Sequence, residues 1–188
     1  QAMQQGFKPK AASVGKAILF PVAVEALGRD GNNLSSEVWW SPSHPFKSSL
    51  NGMTATALAD AYTAATKKQW TQPIGFVHSL FEVASDVLKR TAEIGNAKAT
   101  VQAIAATNLE TVVGKVAWNG AGVPPFAAKN VTKTPLVGGQ WRIKDGNKYD
   151  IVITDTRAGN LGFTASVVSG ASVGATGSFP GPHAGLTG

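Results

Sequence analysis

The sequence predicts an α/β chain, with helices laid on a sheet and an antiparallel hairpin near residue 150. Three observations predict it. Residues 73–92 repeat apolar side chains at three- and four-residue steps, the period of a helix. Residues 139–154 alternate them instead, with Trp141 and Ile143 on one arm, Tyr149, Ile151 and Ile153 on the other, and Lys144-Asp145-Gly146-Asn147 as the turn. Between residues 20 and 120, short β-rich and helical stretches are separated by Pro, Gly and Asn.

In order, residues 1–6 read as the end of a helix with Gly6 as its cap, and Phe7 enters a strand. Residues 10–20 read as a buried strand followed by a turn, on the apolar side chains of Ala11, Val14, Ala17, Ile18 and Leu19. Pro21 suits the first turn of a short helix over 22–27 that Gly28 stops. Residues 29–33 are loop, and Leu34 to Trp40 is β-rich up to Pro42. A helix is predicted over 54–68, with Leu58, Ala61, Tyr62 and Ala65 on one face. The next, over 73–92, carries Phe76, Val77, Leu80, Phe81, Ala84, Val87 and Leu88 as a wide apolar stripe. Asn96 caps a third helix over 97–106, Val112 to Trp118 reads as a strand, and 120–134 as loop. From Arg157 onward the chain is rich in Gly, Ala, Ser and Thr and has one charged side chain, so 155–188 reads as a tail or as added strands.

Composition narrows the chemistry. A chain of 188 residues is one domain by length and buries a real core, roughly 70% of its unfolded surface. Charged residues make up 15%, against about 25% in ordinary soluble domains. The net charge of +6 is spread over separate lysines and arginines with no aromatic interleaving, which argues against a nucleic-acid partner. Without cysteine there are no disulfides, zinc-thiolate sites or thiol nucleophiles. Residues 1–6 lack the basic start and apolar run of a signal peptide, and no stretch of about 18 apolar residues predicts a membrane span. Three scattered histidines form no His-Glu-x-x-His pattern, and no phosphate-binding glycine loop occurs, so neither a metal nor a cofactor is expected. His78 and Glu82, one turn apart, read as a helix-surface contact.

Two segments are distinctive. Glu37-Val38-Trp39-Trp40-Ser41-Pro42-Ser43-His44-Pro45-Phe46 is followed by a helical block around Leu58–Tyr62 and then by Gln72-Pro73-Ile74-Gly75-Phe76-Val77-His78-Ser79-Leu80-Phe81-Glu82. This succession resembles the later half of a type I periplasmic solute-binding protein of the branched-chain amino-acid and amide kind, over about residues 1–154. The resemblance implies a partial two-lobed fold: residues 1–40 from the second lobe, 46–108 as helices of the first, and 112–154 returning to the second. It implies a periplasmic protein that captures an amino acid or amide without chemistry and presents it to an ABC permease. It also implies that the sheets beneath the 54–68 and 73–92 helices are missing. Their apolar faces then require either a rearranged core or a homo-oligomer that shares them.

Two sites follow. For a solute cleft, the resemblance implies Trp39, Trp40, His44, Phe76 and Ser79 as ligand-binding residues, with Phe76 as an aromatic wall; as aromatics at regular spacing, Trp39 and Phe76 also read as core. The alternative is a small serine carboxyl-ester hydrolase acting on short-chain esters. Gly170-Ala171-Ser172-Val173-Gly174 matches the Gly-x-Ser-x-Gly elbow, with His183 as base and Asp155 or Asp150 as the orienting acid. A glycine-rich segment also yields that match by composition alone.

Overall fold

Two small antiparallel sheets carry the architecture of this computed structural model, which describes residues 2–155 apart from 3, 8, 146 and 147. The first sheet has the order β1-β4-β5, from β1 (Ser35–Val38), β4 (Val137–Ile143) and β5 (Tyr149–Asp155). Its register pairs Ser35 with Gln140 and Val38 with Val137, then Trp141 with Ile151 and Ile143 with Tyr149. The predicted hairpin is thus present. Lys144 N–H donates to the Lys148 carbonyl at 2.9 Å across the turn, whose Gly146 and Asn147 lie outside the described residues.

Alternation along these strands sends Val38, Val137, Trp141, Tyr149, Ile151 and Ile153 into one core, closed by Val24 of α1 (Pro21–Glu25) and by Ile18. The Trp141 indole N–H donates to the Ile18 carbonyl at 3.0 Å, and the Tyr149 hydroxyl donates to the Gly28 carbonyl. Residues 10–20 form no regular strand. Ser13 makes one isolated bridge to Ser35, and Lys16–Ile18 is a single 3-10 turn, because only Val14 and Ile18 of that stretch reach the core. Residues 2 and 4–6 likewise form turns rather than a helix end, although Gly6 does adopt φ 77°.

The second half gathers α2 (Ala55–Thr66), α3 (Pro73–Arg90) and α4 (Ala97–Ala105) with the hairpin β2 (Asn108–Thr111) and β3 (Gly114–Ala117). Local chemistry sets the helix ends. The Thr54 hydroxyl accepts from Ala57 N–H at 3.1 Å, Pro73 starts α3, and the Asn96 side chain accepts from Lys98 and Ala99 N–H. The second core holds Trp40, Ala55, Ala59, Val112, Val113 and Val116. Trp70 packs against both cores and joins them. The segment around 112–117 therefore packs with the helices, not with the three-stranded sheet.

Helix α3 departs from the stripe that the sequence predicts. Its buried face is Gly75, Ser79, Glu82 and Val87, while Val77, Leu80, Phe81 and Leu88 are 54%, 66%, 63% and 54% exposed. Glu82 is fully buried, which corrects its reading as a surface residue. The inversion has a packing cause. The neighbours of α3 are the Ser48–Leu50 loop and the turn between β2 and β3, which present backbone N–H groups that need acceptors.

Candidate functional site

The chain passes from the three-stranded sheet into the helical half at Trp39-Trp40. Because side chains alternate along an extended chain, the two indoles point opposite ways. Trp40 is fully buried and lies flat on α3 at Gly75, where a Cβ would stand 2.2 Å from Trp40 Cγ. It meets Trp70 edge to face at 6.0 Å. Trp39 remains half-buried on the other side, edge to face with Phe76 at 5.8 Å and 71°. The Lys16 ammonium stands 5.0 Å from the Trp39 ring centroid. Gln72, at the start of α3, holds the strand in place. Its side-chain oxygen accepts from Trp39 N–H at 2.8 Å, and its amide donates to the Glu37 carbonyl at 3.3 Å.

The structure thus brings Trp39 and Phe76 into edge-to-face contact with a cation beside them. Lys16 and Gln72 are parts of this site that sequence reasoning missed. Only Pro73, which fixes where α3 begins, hinted at Gln72. The other expected ligand residues are engaged elsewhere. His44 is buried, its Nδ1 accepting from Ser41 N–H at 3.0 Å, and burial pushes its imidazole down to about 4. Ser79 is buried and donates to Thr111 Oγ1 at 3.1 Å. Trp40 belongs to the core.

The residues of the hydrolase reading are not brought together among the described residues. Ser172 and His183 lie outside them. Asp150 sits in β5 with its carboxylate 3.6 Å from the Lys144 ammonium, and Asp155 closes the same strand. A different serine and histidine do meet: Ser48 Oγ is 2.7 Å from His78 Nε2. Ser48 is 4% exposed and its oxygen accepts from Leu50 N–H, so this pair pins a loop rather than faces a substrate. Glu82 is occupied too, accepting from Ser49 N–H, Ser49 Oγ and Val112 N–H at 2.5, 2.9 and 3.0 Å.

Two surface grooves lie elsewhere among the described residues. One, of about 360 Å³, is lined by Val101, Ile104, Ala105, Trp118 and Asn130. The other, of about 430 Å³, lies between α1 and the end of α2, with Phe20, Val22, Tyr62, Lys67, Lys68 and Lys148 among its lining residues. Neither includes Trp39 or Phe76. No group of three His, Asp or Glu side chains able to hold a metal occurs among the described residues. The Trp39–Phe76 pair with the Lys16 ammonium beside it offers an apolar, polarisable surface next to one cation.

No family model matches the chain, and no curated protein matches it. Solved structures do. The fold is similar to that of a leucine-binding protein LivK from Thermotoga maritima, at 15% identity and a TM-score of 0.57, over 81% of this chain and 38% of that one. It is similar to the branched-chain amino-acid substrate-binding protein LivJ from Streptococcus pneumoniae, solved with isoleucine, at 15% identity and 0.56, over 82% and 40%. An ABC transporter substrate-binding protein from Sphaerobacter thermophilus gives 15% identity and 0.59, over 82% and 39%. These are type I periplasmic binding proteins, and the chain carries part of their fold. It spans about 40% of their length.

Proposed function

We propose that the chain acts as part of a solute-binding protein of an ABC uptake system, capturing a small hydrophobic amino acid or amide without chemical change. The observation that carries this reading is the superposition of four-fifths of the chain on branched-chain amino-acid and other ABC substrate-binding proteins. The Trp39–Phe76 wall with Lys16 beside it supports it, as an apolar surface for a side chain next to a cation for a carboxylate. In this reading the chain works in the periplasm, and its downstream partner is an ABC permease. One aromatic wall is half of a cleft, so the opposite wall comes from elsewhere. A second copy of the chain is the natural source, since the helices expose apolar faces.

Thermal unfolding across a panel of leucine, isoleucine, valine, phenylalanine and their amides tests the proposal. A ligand at a hundredfold excess over its Kd adds about 2.7 kcal/mol, which raises Tm by roughly 5–10 °C in a domain of this size. The expected result is a saturable rise with at least one of these solutes, weakened tenfold or more in apparent affinity by Phe76→Ala. A flat response across the panel overturns the reading.

A further inference from the structure

The groove of about 430 Å³ between α1 and the end of α2 is lined by two kinds of side chain. Phe20, Val22 and Tyr62 are apolar or aromatic, and Lys67, Lys68 and Lys148 are cationic. Local structure puts each kind there. Helix α1 turns Val24 into the core, so Val22, two residues earlier and about 200° round the helix, faces out and is 70% exposed. Phe20, in the extended residue before Pro21, is 44% exposed. Lys67 ends α2 in the left-handed region at φ 60°, with its N–H donating to the Thr63 carbonyl at 2.9 Å. Lys68 N–H then donates to Thr66 Oγ1 at 3.1 Å.

The elements around the groove are tied to one another. The Gln69 side-chain amide donates to the Tyr149 carbonyl of β5 at 2.8 Å, which fixes the chain leaving α2 to the sheet. The Glu25 carboxylate of α1 lies 3.3 Å from the Lys148 ammonium of the β4–β5 turn. Glu25 is the one carboxylate in the lining, and Lys148 already pairs with it. Lys67 and Lys68 make no ion pair among the described residues. The carboxyl end of α2 offsets about half a charge. The groove therefore keeps more than one positive charge without a partner, beside exposed apolar surface.

We propose that this groove binds an aromatic dianion, a small ring bearing a phosphate or two carboxylates. Its ring lies against Phe20, Val22 and Tyr62, and its charges meet Lys67 and Lys68. The volume falls in the range of small-molecule sites, about 300–1,000 Å³. Each half of the ligand is needed. Exposed ion pairs alone are weak, so the ring supplies the burial, while a neutral ring leaves the ammonium groups unanswered. The groove includes neither Trp39 nor Phe76, so the inference does not rest on the solute-binding reading.

Titration calorimetry of the full chain at pH 8 and low salt tests it. The probes are phenyl phosphate, whose phosphate carries about two negative charges there, and phthalate. At least one is expected to bind saturably with a Kd below about 1 mM, and the tighter of the two identifies the head group. Inorganic phosphate has the charge without the ring, and benzyl alcohol has the ring without the charge. Both are expected to bind at least tenfold more weakly. The Lys67→Gln/Lys68→Gln double variant and Tyr62→Ala are each expected to weaken the better probe tenfold or more. Lys67 and Lys68 are exposed, so the double variant is expected to keep the wild-type Tm. Lys89→Gln, an exposed lysine of α3, removes a charge outside the groove and is expected to leave binding unchanged. No binding of either probe, inorganic phosphate binding as tightly as both, or an equal loss in Lys89→Gln each overturns the proposal.

Discussion

His44 shows how one buried polar side chain ties stability to pH. Its ring sits beneath the Ser41–Phe46 loop, and burial lowers its pKa from 6.5 to about 4. The folded state therefore holds it neutral where the unfolded chain binds a proton. Its contribution is complete above pH 6.5 and is lost as pH falls through 4, because protonation favours the unfolded chain. Urea unfolding at pH 7 and pH 4.5 is expected to differ by roughly 2–3 kcal/mol from this group. His44→Asn, whose side-chain oxygen can replace Nδ1 as acceptor for Ser41 N–H, is expected to flatten that difference. The sequence shows a histidine between Ser43 and Pro45 but not its burial. In the fold its ring lies 6.2 Å from that of Phe46, which in turn reaches across to Gly114, where a Cβ would stand 3.3 Å from it. The same limit applies to Trp39 and Trp40. Alternation predicts that they face opposite ways, and only Gly75 on α3 decides which one enters the core.

The secondary-structure elements fall into those that announce themselves and those that do not. Thr54, Pro73 and Asn96 mark helix starts by their own chemistry, so α2, α3 and α4 are legible to within a residue or two. The hairpin of β2 and β3 is not. Its turn, Val112-Val113, carries apolar residues where a turn usually carries polar ones, and only Gly114, at φ 100°, betrays it. The missing polar partner is Glu82, thirty residues earlier, which accepts from Val112 N–H, while Thr111 Oγ1 accepts from Val113 N–H at 3.3 Å. Glu82→Ala strands the buried Val112 amide, while the exposed Ser49 amide can turn to water. An unpaired buried donor costs about 1–3 kcal/mol, so a loss of roughly that size in urea unfolding is expected. Amide exchange should speed up first at Val112 and Val113. Unchanged stability would show that the hairpin holds itself.

At the scale of the whole fold, the described residues form two cores that share the side chain of Trp70. Trp70 packs against the sheet core around Trp141 and Tyr149 and against the helical core around Trp40 and Val112. Because a large aromatic contributes more contact area than its neighbours, Trp70→Ala is expected to cost about 3–5 kcal/mol. It is also expected to split a single unfolding transition into two, read by hydrogen exchange at Val24 and at Val113. One transition with both probes moving together would mean that the Gln72 clamp alone couples the halves.

The sequence by itself determined the periodic elements: the helices with their caps, the closing hairpin, and the resemblance whose fold the solved binding proteins share. These depend on spacings of a few residues, which any reader of the chain can count. What only the tertiary structure decided is which side of each element meets another. The clearest case is α3, where the predicted apolar stripe faces out and Ser79 and Glu82 face in. An amphipathic pattern states that a helix has two faces. Which face is buried depends on what arrives beside it, and here two turns arrived with Ser49 and Val112 N–H groups that the Glu82 carboxylate accepts, and with a Thr111 hydroxyl that accepts from Ser79.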